Sequence, residues 1–350
     1  MLYSVIKHIL RIYFPLFFGK IHIEGLDNVP TDKPVIFAVN HQNTLLDATL
    51  ASYLIKRNTY YLVRSDLFKG RIINWFFKII YLIPISRGKD KEHDMASFNK
   101  KSFSKCIEHL EKNKIILIFP EGESRAEYQL SKFKKGIARL ALEAEDKNDF
   151  KLDINIVPVT INYENHFEGN SKVWIKYCEP ITISEYQDSY KDNKARTVNL
   201  LLDKVEKVIS EYVLQVDYSQ PSPSFFNTTT SSSITSTEDL NHQFSSFAQG
   251  KTNALGIKKK RRNPLSLLVS IFTKVVFFIP VLFTLLLNRI INDQDFKLSV
   301  ISFSLLFSGL LQVVIAGITF TAWQGVFIGS CAFLGSTILY IGLIKTFFKG

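Results

Sequence analysis

The feature that most constrains the fold of this chain is a long uncharged stretch near its C-terminus. Residues 298–344 contain no Asp, Glu, Lys or Arg. A membrane-spanning helix needs about 20 consecutive apolar residues, so this stretch suffices for two passes. Residues 264–287 carry one charge, Lys274, and form a third candidate. The sequence therefore predicts a transmembrane region over residues 258–350 with two to three helices, since a buried soluble core seldom contains such a run.

The charge distribution predicts which side of the membrane the rest of the chain occupies. Residues 258–262 are consecutive Lys and Arg residues placed just before the first apolar segment. Basic clusters flank membrane segments on the cytoplasmic side, so we expect a multi-pass protein with its preceding domain in the cytoplasm. The formal net charge of +11 suits an anionic partner. Because no nucleic-acid-binding motif is recognisable, we expect a lipid bilayer and phosphorylated substrates rather than nucleic acid.

The two ends of the soluble part differ in composition from its middle. Residues 1–19 are mostly apolar, with Lys7, His8 and Arg11 interrupting the run. This pattern predicts an amphipathic helix lying in the membrane interface, with a packed core helix as the alternative. Residues 216–257 are rich in Ser, Thr and Pro around 221–237, which predicts a flexible linker.

The three cysteines, Cys106, Cys178 and Cys331, show neither a disulfide pattern nor metal-ligand spacing. They are interpreted as reduced structural thiols of a protein whose active domain faces a reducing compartment.

Residues 20–215 alternate between strand and helix patterns. Runs of β-branched and aromatic residues predict three buried strands: 35–39, 115–119 and 154–161. Apolar residues at helical spacing predict three helices: 44–55, 98–110 and 198–212. This alternation predicts an α/β domain with a mixed, mostly parallel sheet flanked by helices, followed by the C-terminal transmembrane helical segment.

The first motif with chemical potential follows the first predicted strand. His41 comes two residues after that strand, and Asp47 follows six positions later, in the first turns of the next helix. A carboxylate at this place could accept a hydrogen bond from one imidazole nitrogen and leave the other nitrogen to take a proton. The alternative is a histidine with a purely structural role.

Three further motifs follow in chain order. Arg87 and Lys89 come after an apolar run and offer two cations. The second strand ends in Phe-Pro-Glu-Gly, residues 119–122, where Gly frees the backbone for a sharp turn. Cations after that turn could hold a phosphate, or could form a solvated face. In Val-Pro-Val, residues 157–159, the proline indicates an edge or bulge beside a site, or plain structure.

Together these motifs occupy about 120 residues, and their order resembles that of the glycerolipid acyltransferase superfamily. That superfamily includes glycerol-3-phosphate and lysophosphatidate acyltransferases, and the resemblance covers roughly residues 20–215. It implies an α/β catalytic domain at the membrane surface. The implied co-substrate is acyl-CoA or acyl carrier protein, and neither a metal nor a bound cofactor is required.

The resemblance also implies a role for each motif. His41 would remove a proton from the acceptor hydroxyl, and Asp47 would orient His41 and stabilise its positive charge. Arg87, supported by Lys89 and Arg125, would bind the acceptor phosphate. Glu121, with Gly122 beside it, would organise the loop or contact the acceptor.

The sequence departs from the family pattern at several positions. The common spacing from His to Asp is five, so one extra residue must bulge between His41 and Asp47 if the pair is to meet. Ser86 replaces an Asp of the second motif, and Glu123 and Ser124 replace Thr and Arg of the third.

The longer spacing is similar to that of fungal-type glycerol-3-phosphate/dihydroxyacetone-phosphate acyltransferases. It favours glycerol 3-phosphate or dihydroxyacetone phosphate as acceptor in phospholipid biosynthesis, with lysophosphatidate as the alternative. Two other classes stay open: a catalytically inactive membrane scaffold, in which the His and Asp side chains could not meet, and a membrane-tethered nucleic-acid-binding protein.

Overall fold

The computed structural model describes residues 2–68, 70–86, 95–166, 169, 171–215, 236–248, 282, 294–324 and 335–341. It contains one eight-stranded sheet with helices on both faces. The strands are β1 (Lys20–Glu24), β2 (Val35–Val39), β3 (Thr59–Arg64), β4 (Leu82–Ile85), β5 (Ile115–Ile118), β6 (Asn155–Tyr163), β7 (Lys172–Tyr177) and β8 (Ile181–Thr182). The helices are α1 (Leu2–Phe17), α2 (Thr44–Leu50), α3 (Arg71–Ile79), α4 (Met95–Leu110), α5 (Gly136–Lys147), α6 (Gln187–Asp192), α7 (Lys194–Tyr212), α8 (Thr237–Ala248) and α9 (Gln294–Gln324).

The sheet is mostly parallel, as the sequence predicts. Its strand order is β1-β7-β6-β2-β5-β3-β4, and β8 pairs with β6 outside this path. Among the strands that the structure describes, only the pairs β6–β7 and β6–β8 are antiparallel. The other pairs are parallel and need crossover connections, which helices such as α4 and α5 provide. The prediction of a mixed, mostly parallel sheet flanked by helices is therefore confirmed.

The central strand β2 shows why its sequence is apolar at every position. Val35, Phe37 and Val39 pack into the core on the face that carries α1 and α2. Ile36 and Ala38 pack into the core on the opposite face, which carries α4, α5 and α7. Successive side chains of a strand point to opposite faces, so burial on both faces produces a continuous apolar run rather than an alternating one.

Predicted and observed elements agree in type and differ at their ends. The predicted helix 44–55 ends at Leu50, and residues 51–54 form a turn. Pro158 lies in β6, which is not an edge strand, because β2 lies on one side and β7 and β8 lie on the other. The proline is placed between the stretch of β6 that pairs with β8 and the stretch that pairs with β7. A missing N–H is tolerated there, which explains why the edge interpretation is wrong.

The predicted interfacial helix 1–19 forms α1 and packs one face against the sheet. Tyr13, Phe14 and Phe17 are buried in the core, whereas Val5 and Ile12 are exposed. The buried face of α1 therefore fits the core-helix alternative. Membrane contact by the exposed face stays a prediction.

The C-terminal predictions fall largely outside the described residues. Within the predicted linker, residues 237–248 form α8, and most of the remaining linker is not described. Among the predicted membrane segments, most of 258–293, together with 325–334 and 342–350, lies outside the description as well. In the part that is described, no helix has both the length and the apolar character needed to cross a bilayer. Cys106 and Cys178 are buried free thiols, and Cys331 is outside the described residues.

Candidate active site

Those predicted site residues that the structure describes converge at the carboxyl edge of the sheet. The parallel strands β2 and β5 are neighbours, with Ala38 paired to Ile118. Because parallel strands end at the same edge, the segments that follow them lie side by side, and these carry His41 and Glu121. Asn40 fixes the first segment by bonding both backbone groups of Ile161 in β6, at 2.9 and 2.8 Å.

His41 and Asp47 meet as the sequence predicts. The His41 Nδ1 atom lies 2.9 Å from the Asp47 Oδ2 atom. The Asp47 side chain is fully buried, and a tenth of the His41 side chain is exposed. The same Oδ2 atom accepts a hydrogen bond from the Asn43 backbone at 2.6 Å, and Oδ1 accepts one from the Tyr163 hydroxyl at 2.7 Å. These bonds fix the carboxylate in one orientation toward the imidazole.

Tyr163 acts as a permanent donor to this carboxylate. Its side chain is buried at the end of β6. Burial, followed by the nearby Asp47 charge, raises the pKa of the Tyr163 phenol well above its usual value of 10.0. The phenol therefore keeps its proton at any physiological pH and donates it toward Asp47.

The extra residue between His41 and Asp47 forms the bulge that the spacing requires. Thr44 has a φ of 36°, which is uncommon for a residue with a β-branched side chain. Its backbone N–H donates to the Ser124 hydroxyl at 3.0 Å. Ser124 stands where the family pattern has Arg, so two departures from that pattern contact each other directly.

An aromatic side chain of the Phe-Pro-Glu-Gly turn covers the imidazole. The rings of Phe119 and His41 stack with centroids 3.6 Å apart and an angle of 9° between their planes. This stacking, together with the Asp47 contact, limits rotation of the His41 ring and shields one of its faces from water.

Glu121 holds two loops together. Its Oε1 atom accepts a hydrogen bond from the His41 backbone N–H at 2.7 Å, and Oε2 accepts one from the Ser131 N–H at 2.8 Å. Burial raises the pKa of the Glu121 carboxyl to about 7, although both backbone bonds favour its charged form. Of the two roles proposed for Glu121, these contacts favour organising the loop.

Gly122 and Arg125 complete the turn beside His41. Gly122 has a φ of 76°, and a Cβ atom there would collide with the Lys134 side chain. The backbone N–H of Arg125 donates to the His41 carbonyl at 3.0 Å, while its exposed guanidinium lies 3.8 Å from Glu123. Arg125 is thus next to the site with its charged end accessible.

Two of the predicted cations cannot be placed. Arg87 and Lys89 lie outside the described residues, directly after β4 ends at Ile85. Their contribution to phosphate binding stays a prediction. Among the residues that the structure does describe, no cluster of three or more His, Cys, Asp or Glu side chains could hold a metal ion.

A second histidine, His166, contacts the loop between His41 and Asp47 at Gln42 and Asn43. The His166 Nε2 atom lies 3.1 Å from the Gln42 side-chain oxygen, and the His166 carbonyl accepts the Asn43 side-chain amide at 2.9 Å. Burial lowers the pKa of His166 to about 4, so its ring is neutral near pH 7. Sequence reasoning missed His166 and Tyr163, because neither belongs to a motif with a recognisable spacing.

Comparison with known proteins agrees with the motif resemblance. Residues 20–162 match the family model described as Acyltransferase. A chloroplastic 1-acyl-sn-glycerol-3-phosphate acyltransferase of Arabidopsis thaliana is 30% identical over 145 residues, covering 41% of this chain and 36% of that protein. Glycerol-3-phosphate O-acyltransferase 2 of Saccharomyces cerevisiae is 32% identical over 108 residues, covering 31% of this chain and 14% of that protein.

Among solved structures, the 1-acyl-sn-glycerophosphate acyltransferase PlsC of Thermotoga maritima aligns with a TM-score of 0.44 and 20% identity. That alignment covers 60% of this chain and 78% of the other. This chain matches less than half of the length of the plant and yeast relatives, 36% of the Arabidopsis protein and 14% of the Saccharomyces protein.

Proposed function

This chain belongs to the glycerolipid acyltransferase family, with distant relatives among the lysophosphatidate and glycerol-3-phosphate acyltransferases, and we propose its reaction from the geometry of its candidate active site. It transfers a fatty acyl group from an acyl thioester to a hydroxyl of glycerol 3-phosphate or dihydroxyacetone phosphate. The observation that carries this proposal is the contact between His41 and Asp47, closed at 2.9 Å despite the longer spacing. In an inactive scaffold nothing would require the bulge that closes it.

The chemistry follows from the orientation of the imidazole. Asp47 accepts the Nδ1–H, so Nε2 presents a lone pair that takes the proton of the acceptor hydroxyl. The resulting alkoxide attacks the thioester carbonyl, a C–O bond forms, and a tetrahedral intermediate results. The C–S bond then breaks, and the thiolate of the carrier takes the proton back from His41. The products are an ester and a free thiol.

Asp47 assists both proton transfers through its electrostatic interaction with the His41 ring. While His41 carries the proton, the imidazolium faces a carboxylate that three hydrogen bonds hold in place. The stabilisation is greatest when the charge develops, so it lowers the barrier rather than tightening substrate binding.

The acceptor phosphate needs cations near this edge of the sheet. Arg125 provides an exposed guanidinium, and its backbone N–H donates to the His41 carbonyl. Arg87 and Lys89 are proposed as its partners from their place in the second motif. Arginine suits a phosphate because its planar donors can bind two oxygens at once.

Lysophosphatidate is the second candidate acceptor, because the Arabidopsis relative is named as an enzyme for that acceptor. The yeast relative, named for glycerol 3-phosphate, and the six-residue spacing from His41 to Asp47 support the first candidate. The acyl donor is proposed to be acyl-CoA or acyl carrier protein. We further propose that the protein works at a lipid bilayer with this domain on the cytoplasmic side, supported by the basic residues 258–262 and the apolar residues after them.

The test is an acyl-transfer assay on the detergent-solubilised full chain. Labelled glycerol 3-phosphate, dihydroxyacetone phosphate and lysophosphatidate are offered separately, each with acyl-CoA and with acyl carrier protein as donor. His41→Ala removes the base and should abolish product formation. His242→Ala, an exposed histidine on α8, is the matched control and should match the wild type.

Each outcome has a direct meaning. Product from glycerol 3-phosphate that depends on His41 supports the first candidate, and product from lysophosphatidate alone supports the second. Wild-type activity in His41→Ala would refute the mechanism. A wild type that acylates none of the three acceptors would refute the proposed function.

A further inference from the structure

A helix far in sequence from the four motifs contacts the bulge between His41 and Asp47. Ser299, in the first turns of α9, is fully buried against the N-terminus of α2. Its hydroxyl donates to the Asn43 carbonyl at 2.9 Å and accepts the Thr44 hydroxyl at 2.8 Å. It also lies 3.3 Å from the Leu46 N–H. A serine hydroxyl can donate one hydrogen bond and accept two, and Ser299 uses all three positions on residues 43–46.

The start of α2 needs hydrogen-bond partners from other segments, because the side chain of its N-cap residue, Asn43, does not cap the helix. Asn43 is the residue before the first turn of α2, but its side chain makes no capping bond there. Its amide instead donates to the His166 carbonyl at 2.9 Å. Orphan N–H groups at a helix start require a partner, and the Leu46 N–H is shared between the Asn43 carbonyl, at 2.9 Å, and Ser299.

The strained residue lies at the centre of this contact. Thr44 has a positive φ, an unfavourable conformation for a β-branched residue that persists only when the surroundings fix it. Ser124 fixes its backbone N–H, and Ser299 fixes its side-chain hydroxyl. Two serines that are far apart in sequence, Ser124 and Ser299, therefore stabilise the bulge.

The bulge determines where Asp47 stands. The Asn43 N–H donates to Asp47 Oδ2, the atom that also contacts His41. A shift of residues 43–46 would therefore move the carboxylate away from the imidazole. Small displacements of such a pair reduce the rate while leaving distant substrate contacts in place.

The helix that carries Ser299 is itself anchored to the catalytic domain. The Tyr13 hydroxyl of α1 donates to the Ser302 carbonyl at 2.7 Å, and Leu306 and Val313 pack into the core that contains α1 and α2. The contact of Ser299 with the bulge thus belongs to a packed interface. The helix α9 is consequently in direct contact with the candidate active site.

We propose that Ser299 is a positioning residue, through which α9 holds the bulge at residues 43–46 and thereby sets the geometry of His41 and Asp47. The dyad of this chain is then complete only when the C-terminal helix is docked. The kinetic part of this inference rests on the proposed function, whereas the positioning of the loop does not.

The experiment combines kinetics with hydrogen–deuterium exchange on the full chain in detergent. Ser299→Ala removes the hydroxyl, and Thr44→Val removes its partner with little change of shape. Ser308→Ala is the matched control, because that hydroxyl bonds the Ser304 carbonyl within α9 itself. We expect Ser299→Ala to lower kcat about tenfold with unchanged KM for both substrates, as for a lost hydrogen bond that acts on the transition state. Amides of residues 43–47 should exchange faster than in the wild type.

A double-mutant cycle then tests whether the two hydroxyls act as a unit. The combination of Thr44→Val and Ser299→Ala should lower kcat no further than Ser299→Ala alone, because Ser299→Ala already removes the bond between the two hydroxyls. Unchanged exchange in Ser299→Ala would overturn the inference whether or not the protein is active. Faster exchange with unchanged kcat would also overturn it. Faster exchange in a protein whose wild type has no activity would refute the proposed function while leaving the positioning of the loop established.

Discussion

The substitution Asp47→Asn removes the charge behind His41 while keeping the size of the side chain. The carboxylate accepts two N–H donors at Oδ2, from His41 and Asn43, and the Tyr163 hydroxyl at Oδ1. In the variant, the amide oxygen can take the place of Oδ2 and the amide NH2 the place of Oδ1. Because the Tyr163 hydroxyl can rotate and accept, the new amide NH2 keeps a partner at that place, at the cost of the bond that the Tyr163 O–H donates. We therefore expect the fold and the tautomer of His41 to survive.

The loss of activity can be worked out from the contact. A carboxylate and an imidazolium about 4 Å apart attract each other by about 4 kcal/mol at an effective dielectric constant of about 20. This attraction exists only while His41 carries the proton, so its loss raises the barrier of the chemical step. With about 1.4 kcal/mol for each factor of ten, kcat should fall roughly 1,000-fold and KM should change little.

The assay measures kcat and KM of purified Asp47→Asn with the acceptor on which the wild type is active, with thermal unfolding as a check on folding. The single variant His41→Ala and the double variant His41→Ala/Asp47→Asn are measured in the same way. Once the imidazole is gone, the charge at Asp47 has nothing to stabilise, so the double variant should equal His41→Ala. If Asp47→Asn retained a third or more of the wild-type kcat, the dyad reasoning would be refuted.

Three further changes test the surroundings of the dyad. Tyr163→Phe removes one bond to the Asp47 carboxylate, worth about 1.5 kcal/mol or more, and should lower kcat at least about tenfold; an unaffected kcat would contradict this. Glu121 has a folded pKa of about 7 against its usual 4.5, so its contribution to stability is complete below pH 4.5 and is lost as the pH rises through 7. The unfolding free energy of wild type relative to Glu121→Gln should therefore fall by about 3 kcal/mol between pH 4.5 and pH 8, and a constant difference would exclude this titration. Gly122→Ala should lower the unfolding free energy by about 1 kcal/mol or more because of its φ of 76°, whereas the control Gly136→Ala, at a helix start, should not.

The parts of the fold that local patterns encode could be predicted from the sequence. The strands β2 and β5 are buried on both faces of the sheet, so their sequences are uninterrupted apolar runs. His41 and Glu121 come directly after these runs, and parallel strands bring such residues to one edge. Chain order and the parallel arrangement therefore predict that His41 and Glu121 lie close together, whereas their proposed roles depend on the family resemblance.

The parts that depend on long-range packing could not be predicted in this way. Tyr163 lies 116 positions from Asp47, and Ser299 lies 256 positions from Asn43. A single tyrosine at a strand end, or a serine in an apolar helix, has no periodicity or spacing that distinguishes it from its neighbours. Their roles appear only when the sheet order and the docking of α9 are known.

The two departures from the family pattern form a single structural unit. A His–Asp spacing of six places an extra residue, Thr44, in a positive-φ conformation at the start of α2. The Thr44 backbone N–H needs an acceptor within the loop, and the Ser124 hydroxyl provides one at 3.0 Å. An arginine, which has only donors, would leave the N–H unsatisfied at the same place. Ser124 in the third motif therefore provides the acceptor that the extra residue of the first motif needs, and Arg125, one position later, is the cation that we propose for the acceptor phosphate.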